Sequence, residues 1–372
     1  MSNHNNNSQT TQNPAKTKIC MIVQDPNVKG GIAAVTGGYY GSRLEKDFDI
    51  TYVESYCDGG KLTKLAKALR AYREFRHVLK TNRPDIVHVH SSFGPSFFRK
   101  YPIISMAHKA GIPIINHIHG SALDELYTNA PAWKKRMVEK SYSECTKLVV
   151  LSAEWKEKIS AIVPATMIEV IPNYSVIVPE MTSEKVMDDR FNKKQILYLG
   201  RFDELKGVVD IPAIADKVKK VFPEVKFVLG GTGETEPTEA EIKRLHLEST
   251  VLMPGWIRGD EKTKLLKESS IFLLPSHMEA MPMSILEAMG YALPIVSCEV
   301  GGIPQVVSKD INGKLYRPQD VDGMADGIIS YYSDRASWEE ACRQSLKLAD
   351  EGYSFETHIN KLEELYTSVL SN

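Results

Sequence analysis

Glu279 and Glu287 stand eight positions apart in LLPSHMEAMPMSILEAMG, residues 273–290. An apolar run ends at Ser276, a short loop carries Glu279, and a helix opening at Pro282 or Met283 carries Glu287. Proline suits a helix start because its missing N–H would be unpaired there anyway. Carboxylates so placed can accept hydrogen bonds from separate sugar hydroxyls, and the free N–H groups around Met281 and Met283 suit a phosphate. A carboxylate pair also serves glycoside hydrolysis, one acting as acid and the other as nucleophile or base. That alternative leaves the cations and glycine turns elsewhere without a role.

Those cations are Arg201 and Lys206 in LYLGRFDELKG, residues 197–207, at a strand end and just before a helix. Converging cations hold a pyrophosphate and stabilise it further as it departs, although an ordinary surface loop would account for them when taken alone. Gly30-Gly31 follow the first strand candidate and open a helical stretch, so a ligand could approach the backbone there; a tight turn would look the same. Gly301-Gly302-Ile303-Pro304 is a second such turn, and Gly230-Gly231-Thr232-Gly233 could serve packing only. His88 and His90 share one face of a strand, and His117 and His119 one face of the next. Four imidazoles raise the question of zinc, but no Asp, Glu or Cys stands at matching spacing, so no metal is expected. Asp320-Val321-Asp322 opens a helical stretch after Pro318, where capping and dipole complementarity explain it without a metal.

These residues must be positioned by the elements between them. Short β-branched runs at 19–24, 50–54, 85–91, 113–120, 147–152 and 167–172 alternate with helical stretches. The second half repeats the pattern at 195–200, 226–231, 251–254, 271–276, 294–299 and 313–316. Each half reads as one doubly wound, Rossmann-like parallel sheet, in which ligands bind beyond the carboxyl ends of the strands. The chemistry-bearing residues fall just there. At 372 residues, with 42% hydrophobic and 25% charged residues, the chain can bury two cores. It has no apolar run of the roughly 18–20 residues a membrane span needs. Residues 1–17, rich in Asn, Gln, Ser and Thr, read as a disordered tail and not as a secretory signal. The five scattered cysteines read as free, mostly buried thiols. Net charge is −1, yet residues 1–180 carry +7 and the remainder −8, which suggests different partners for the two halves.

In their order and spacing these motifs resemble glycosyltransferase family 4, the retaining GT-B glycosyltransferases, over nearly all of residues 18–370. The resemblance rests on Gly30-Gly31, DIVHVH at 85–90, His119-Gly120, IPN at 171–173, GR and KG within 200–207, Glu279 with Glu287, and the Gly-Gly-Ile-Pro turn. It implies an α/β GT-B fold, two Rossmann-like doubly wound domains facing across a cleft. The expected boundaries are an acceptor domain at 18–174, a linker at 175–193, a nucleotide-sugar domain at 194–350, and a last helix at 351–372 returning to the first domain. It further implies that Arg201 and Lys206 hold the donor diphosphate and Glu287 the ribose hydroxyls. Glu279 would bind the donor sugar beside the backbone of Ala280, Met281, Pro282 and Met283. The base would lie near residues 254–257, with Trp256 and Ile257. Gly30 and Gly31 would approach the β-phosphate, and His119 would lie beside the transferred sugar. The implied catalytic set is His119, Glu279, Arg201 and Lys206, without metal or cofactor, and leaving-group stabilisation would carry the rate. Two departures from the family pattern stand out: Gln305 where Glu is common, and Tyr174-Ser175 after Asn173 where Gly is usual.

The acceptor side has its own signal. Residues 61–80 carry cations at 61, 64, 67, 70, 73, 76 and 80 against the single acid Glu74. Leu62, Leu65, Ala66, Leu69, Phe75 and Leu79 form an apolar stripe, which is expected to cover the sheet. With the aromatic–basic runs at 97–101 and 133–136, the basic half is expected to sit peripherally on an anionic membrane from the cytoplasmic side. Such a location suits a lipid-linked saccharide acceptor for a UDP-sugar in bacterial surface-polysaccharide synthesis. No nucleic-acid motif is present. Competing readings are a small soluble acceptor, a sugar epimerase, and a non-catalytic nucleotide-sugar-binding module. A Rossmann oxidoreductase is disfavoured because the first strand lacks a GxGxxG turn.

Overall fold

The computed structural model describes residues 16–120 and 122–371; apart from Lys16 and Thr17, the tail expected at 1–17 lies outside the described residues. Six strands, β1 (Lys18–Val23), β2 (Asp49–Glu54), β3 (Ile86–Ser91), β4 (Ile114–Ile118), β5 (Lys147–Val150) and β6 (Ile168–Val170), pair in the order β2-β1-β3-β4-β5-β6. The second sheet contains β7 (Gln195–Phe202), β8 (Lys226–Gly233), β9 (Val251–Gly255), β10 (Ile271–Leu274), β11 (Ile295–Cys298) and β12 (Gly313–Tyr316), in the order β12-β11-β10-β7-β8-β9. All pairings are parallel. Helices cover both faces of such sheets, so the central strands read as unbroken apolar runs such as IFLL in β10. This is the two-sheet α/β architecture expected from the sequence.

β7 and β8 continue past the expected ends because glycines let their backbones close up. A Cβ on Gly231 would stand 1.9 Å from the Gly200 carbonyl oxygen, and one on Gly233 would stand 2.1 Å from that of Phe202. The glycines at 230–233 therefore serve strand packing. Part of the segment 175–193, which shows no periodicity in sequence, forms the helix Glu184–Lys193. One buried side chain anchors it: Arg190 donates to the carbonyls of Ser269, Met181, Tyr291 and Ala292, satisfying a charge that would be costly to bury unpaired.

Two sequence expectations are corrected here. In the helix Lys61–Thr81 the buried residues are Ala68, Ala71, Phe75 and Val78, whereas Leu62, Leu65 and Leu69 are 83%, 56% and 51% exposed. At about 100° per residue the two sets centre on different faces, roughly 130° apart. Phe75 and Val78 set the phase and the alanines permit close approach, so the leucines turn outward and do not cover the sheet. In the run 97–101, Phe97 and Lys100 are buried. Lys100 Nζ donates to the Ile22 and Val23 carbonyls at 3.3 and 3.5 Å and to Ser55 Oγ.

The last helix, Phe355–Leu370, lies against the first sheet. Ile359, Leu362, Leu365, Tyr366 and Val369 pack on Ile19, Met21, Ile86, Ile115 and Val149. Each fully buried apolar side chain contributes roughly 1.5–3 kcal/mol. The exposed ion pairs of Arg43 with Glu356 and Glu363 add at most about 1 kcal/mol each. Apolar burial thus holds the helix in place.

Candidate active site between the two sheets

The loops that follow strand carboxyl ends meet across the gap between the sheets. Asn173, after β6, donates from Nδ2 to the Met281 carbonyl at 3.0 Å, in the loop after β10. Lys29 Nζ, after β1, lies 5.6 Å from the Trp256 ring centroid, after β9. Gln305 Oε1, after β11, accepts from Ala153 N at 3.4 Å, after β5. A glutamine can make this link without placing a negative charge there. The other departure also has a local cause: Tyr174 donates its hydroxyl to the Val35 carbonyl at 2.8 Å, closing the end of the helix Gly31–Gly37.

At the centre, Lys206 and Glu279 are in contact. Lys206 Nζ stands 2.5 Å from Glu279 Oε1, and Ser276 Oγ donates to the same oxygen at 2.9 Å. Glu279 is 7% exposed, so the ammonium partly neutralises a carboxylate that burial disfavours. Asp203 caps the turn Glu204–Lys206 by accepting from Lys206 N at 3.1 Å. Gly207 completes it at φ 62°, with no room for a Cβ beside the Pro275 carbonyl. The glycine pair 301–302 holds the other side of the Glu279 loop. Gly301, at φ 54°, faces the Glu279 carbonyl, and Gly302 N donates to the Ala280 carbonyl at 2.8 Å. A Cβ on Gly301 would lie 1.8 Å from that Glu279 oxygen. Gly301→Ala is therefore expected to cost roughly 1–3 kcal/mol, read as a fall in Tm. An unchanged Tm would mean that this turn does not fix the loop.

The remaining residues divide. Pro282 precedes the helix Met283–Gly290, on which Glu287 pairs with Lys262 at 2.7 Å. Arg201 is 72% exposed and pairs with Asp203 at 3.3 Å, apart from the Lys206–Glu279 contact. Trp256 is partly exposed, whereas the Ile257 side chain is buried at the position a Cβ on Gly230 would occupy. The space above Gly30 and Gly31 is open, with no atom within 4 Å of a Cβ built on either. Ser276 and Lys262 were not singled out from sequence. Ser276 sits inside the Glu279 motif, whereas nothing in the sequence marks Lys262.

His119 directly follows β4 and stands at the edge of a cluster whose other members, His88, His90, His117 and His358, are buried. Its Nε2 lies 3.0 Å from His90 Nδ1, and its ring stacks on His117 with centroids 4.3 Å apart. His88 Nδ1 meets the Tyr366 hydroxyl at 2.6 Å, and His358 bridges the Tyr39 hydroxyl and the Pro172 carbonyl at 2.8 Å each. Burial, with neighbouring imidazoles adding in the same direction, holds His88 and His119 down to about 3, and burial holds His358 at about 4. His88, His90 and His117 bring ring nitrogens within 4.8 Å of one another, and this group includes no carboxylate or thiolate. The Asp320 carboxylate caps the helix Val321–Ser333, accepting from Gly323 N at 2.9 Å.

Comparisons with known proteins agree in kind. The family model for Glycosyltransferase Family 4 matches residues 35–174, and that for Glycosyl transferases group 1 matches residues 183–347. The chain belongs to glycosyltransferase family 4. It is 26% identical, over 86% of its length and 84% of the other's, to an Escherichia coli UDP-Gal:α-D-GlcNAc-diphosphoundecaprenol α-1,3-galactosyltransferase. Sucrose-phosphate synthase from Thermosynechococcus elongatus superposes with a TM-score of 0.78 at 15% identity, covering 96% of this chain and all of the other. Anabaena HepE in complex with UDP and glucose superposes with a TM-score of 0.69 at 17% identity, covering 95% and 100%. This glycosyltransferase accordingly has the GT-B fold. None of its described helices is long and apolar enough to cross a membrane.

Proposed function

We propose that this glycosyltransferase moves a sugar from a UDP-sugar to a lipid-linked saccharide with retention of configuration, without a metal, in bacterial surface-polysaccharide synthesis. The observation that carries the reading is the Lys206–Glu279 contact in the gap between the sheets. Glu279 is ready to accept from sugar hydroxyls, and Lys206 is ready to follow negative charge onto a departing diphosphate. In this reading Arg201 swings in from solvent to the diphosphate, and Glu287 exchanges Lys262 for the ribose hydroxyls. The free N–H groups at the start of Met283–Gly290 and the open backbone at Gly30 and Gly31 receive phosphate. Trp256 and the backbone at Ile257 flank the base, while Ala280, Met281 and Pro282 line the sugar.

Acceptor attack from the side the diphosphate leaves needs no protein nucleophile, so differential stabilisation of the leaving group supplies the rate. His119, held neutral by burial, orients the sugar without adding charge. The E. coli relative's name supports UDP and a lipid diphosphate acceptor, and the basic N-terminal half supports attachment to the inner face of the plasma membrane. A thermal-shift screen against UDP-, GDP- and ADP-sugars with EDTA present tests the donor site. A shift is expected with UDP-sugars and is expected to vanish in Glu287→Ala. A response to another nucleotide alone, or an undiminished shift in the variant, would refute the assignment.

A further inference from the structure

Large apolar side chains stand in solvent beside cations on three α-helices that cover the N-terminal sheet. We infer that this face inserts shallowly into an anionic lipid surface, an inference that deepens the membrane side of the proposed function and rests on it. On the helix Lys61–Thr81, Leu62, Leu65 and Leu69 form an outward ridge, and Arg73, Arg76 and Lys80 continue the same stripe at helical spacing. Among the described residues, Lys61, Lys64, Arg70, Arg73, Arg76 and Lys80 take part in no ion pair. Of this helix's cations only Lys67 has acidic partners among the described residues, Glu54 and Asp25. On the helix Pro95–Lys109, Phe98 is 39% exposed, with Lys134 Nζ 5.8 Å from its ring centroid. Trp133, 63% exposed, begins the helix Ala132–Ser143. Tyr72 donates its hydroxyl to the Arg99 carbonyl at 3.0 Å, tying the first two helices together.

Helices that follow β2, β3 and β4 start at the carboxyl ends of those strands, the edge that faces the second sheet. Leu62, Leu65, Phe98 and Trp133 all lie in the first two turns of their helices. The apolar tips therefore stand at the same edge as the candidate active site. A surface docked there would present headgroup-level saccharides to the gap. The chemistry selects the occupant. An apolar ridge inside a field of cations complements anionic headgroups over acyl chains. Nucleic acid would leave the leucines uncovered, and a symmetric second copy would set like charges against each other.

Sedimentation of full-length protein with vesicles tests this. Vesicles of neutral phosphatidylcholine alone are expected to leave the protein in solution, while vesicles containing about 30% phosphatidylglycerol capture it at low salt. The triple variant Leu62→Glu/Leu65→Glu/Leu69→Glu should lose at least about tenfold in partitioning, and Arg73→Glu/Arg76→Glu should behave alike. These side chains lie outside the core, so the triple variant should keep its circular dichroism and its thermal shift with UDP-sugar. Loss of that shift in the wild type would strike the donor assignment and leave this docking test intact. Equal capture by neutral vesicles, no capture of the wild type, or wild-type capture of the triple variant would each overturn the inference. So would light scattering that shows a wild-type dimer broken by the leucine changes.

Discussion

Lys206→Ala should lower kcat/KM for sugar transfer by about 10²–10³-fold, with kcat falling further than donor affinity. Charge builds on the diphosphate as the glycosidic bond breaks, so a cation aimed at it stabilises the transition state more than the bound substrate. Lys206 is suited to this because its side chain is only 24% exposed and is held at 2.5 Å from Glu279. Arg201 is 72% exposed, and solvent screens it more, so Arg201→Ala should cost closer to tenfold. The lysine variant also strands a buried carboxylate, and breaking such a pair costs on the order of 3–5 kcal/mol. Lys206→Ala/Glu279→Gln removes the stranded charge. Its Tm should recover towards wild type while its turnover stays low. Recovery of both would reduce Lys206 to a structural partner, and an unchanged kcat in Lys206→Ala would remove it from the leaving-group role.

Stability should fall steeply once the pH drops below about 6. The unfolded chain protonates each histidine near 6.5. In the folded protein His88 and His119 stay neutral to about 3 and His358 to about 4, with burial the leading cause. Between about 6.5 and 4 the unfolded state therefore binds up to three more protons, so stability rises with pH across that window and is lost as pH falls through it. At about 1.4 kcal/mol per proton and pH unit, the slope near pH 5 should reach about 4 kcal/mol per unit. His90 and His117, held well below the ordinary range by the same burial, can only steepen it. Urea unfolding at pH 7, 6 and 5 reads the slope directly. His88→Asn should remove about one proton's worth of it. A flat profile from pH 7 to 5 would mean that the cluster is not dry and neutral in solution.

Much of the architecture was legible because parallel strands buried on both faces must be apolar along their whole length. Each of the twelve runs found in sequence coincides with a strand. The short spacing from strand end to loop to helix placed Glu279 and Glu287 on the correct elements, since both lie on one continuous stretch of chain. The glycine turn at 301–302 was legible as a close backbone approach, but what it approaches, the Glu279 and Ala280 carbonyls, was not. The helix Lys61–Thr81 was misread because leucine and alanine compete for the sheet side, and hydrophobicity alone favours leucine. Lys100 was placed on the surface because nothing local shows the carbonyls at the end of β1 that receive its ammonium.

The sequence by itself determined the two-sheet α/β plan, the glycosyltransferase family and the residue types available at each strand end. These follow from short-range patterns, in which periodicity, glycine and proline act within a few residues. Only the tertiary structure decided which of those residues meet. Lys206 reaches Glu279 across 73 positions, Asn173 reaches Met281 across 108, and His358 reaches Tyr39 across 319. Such pairings depend on how two sheets and a returning helix stack their buried faces, and no local spacing encodes that distance. The same stacking chose which face of the helix Lys61–Thr81 to bury, and so left its leucines in solvent.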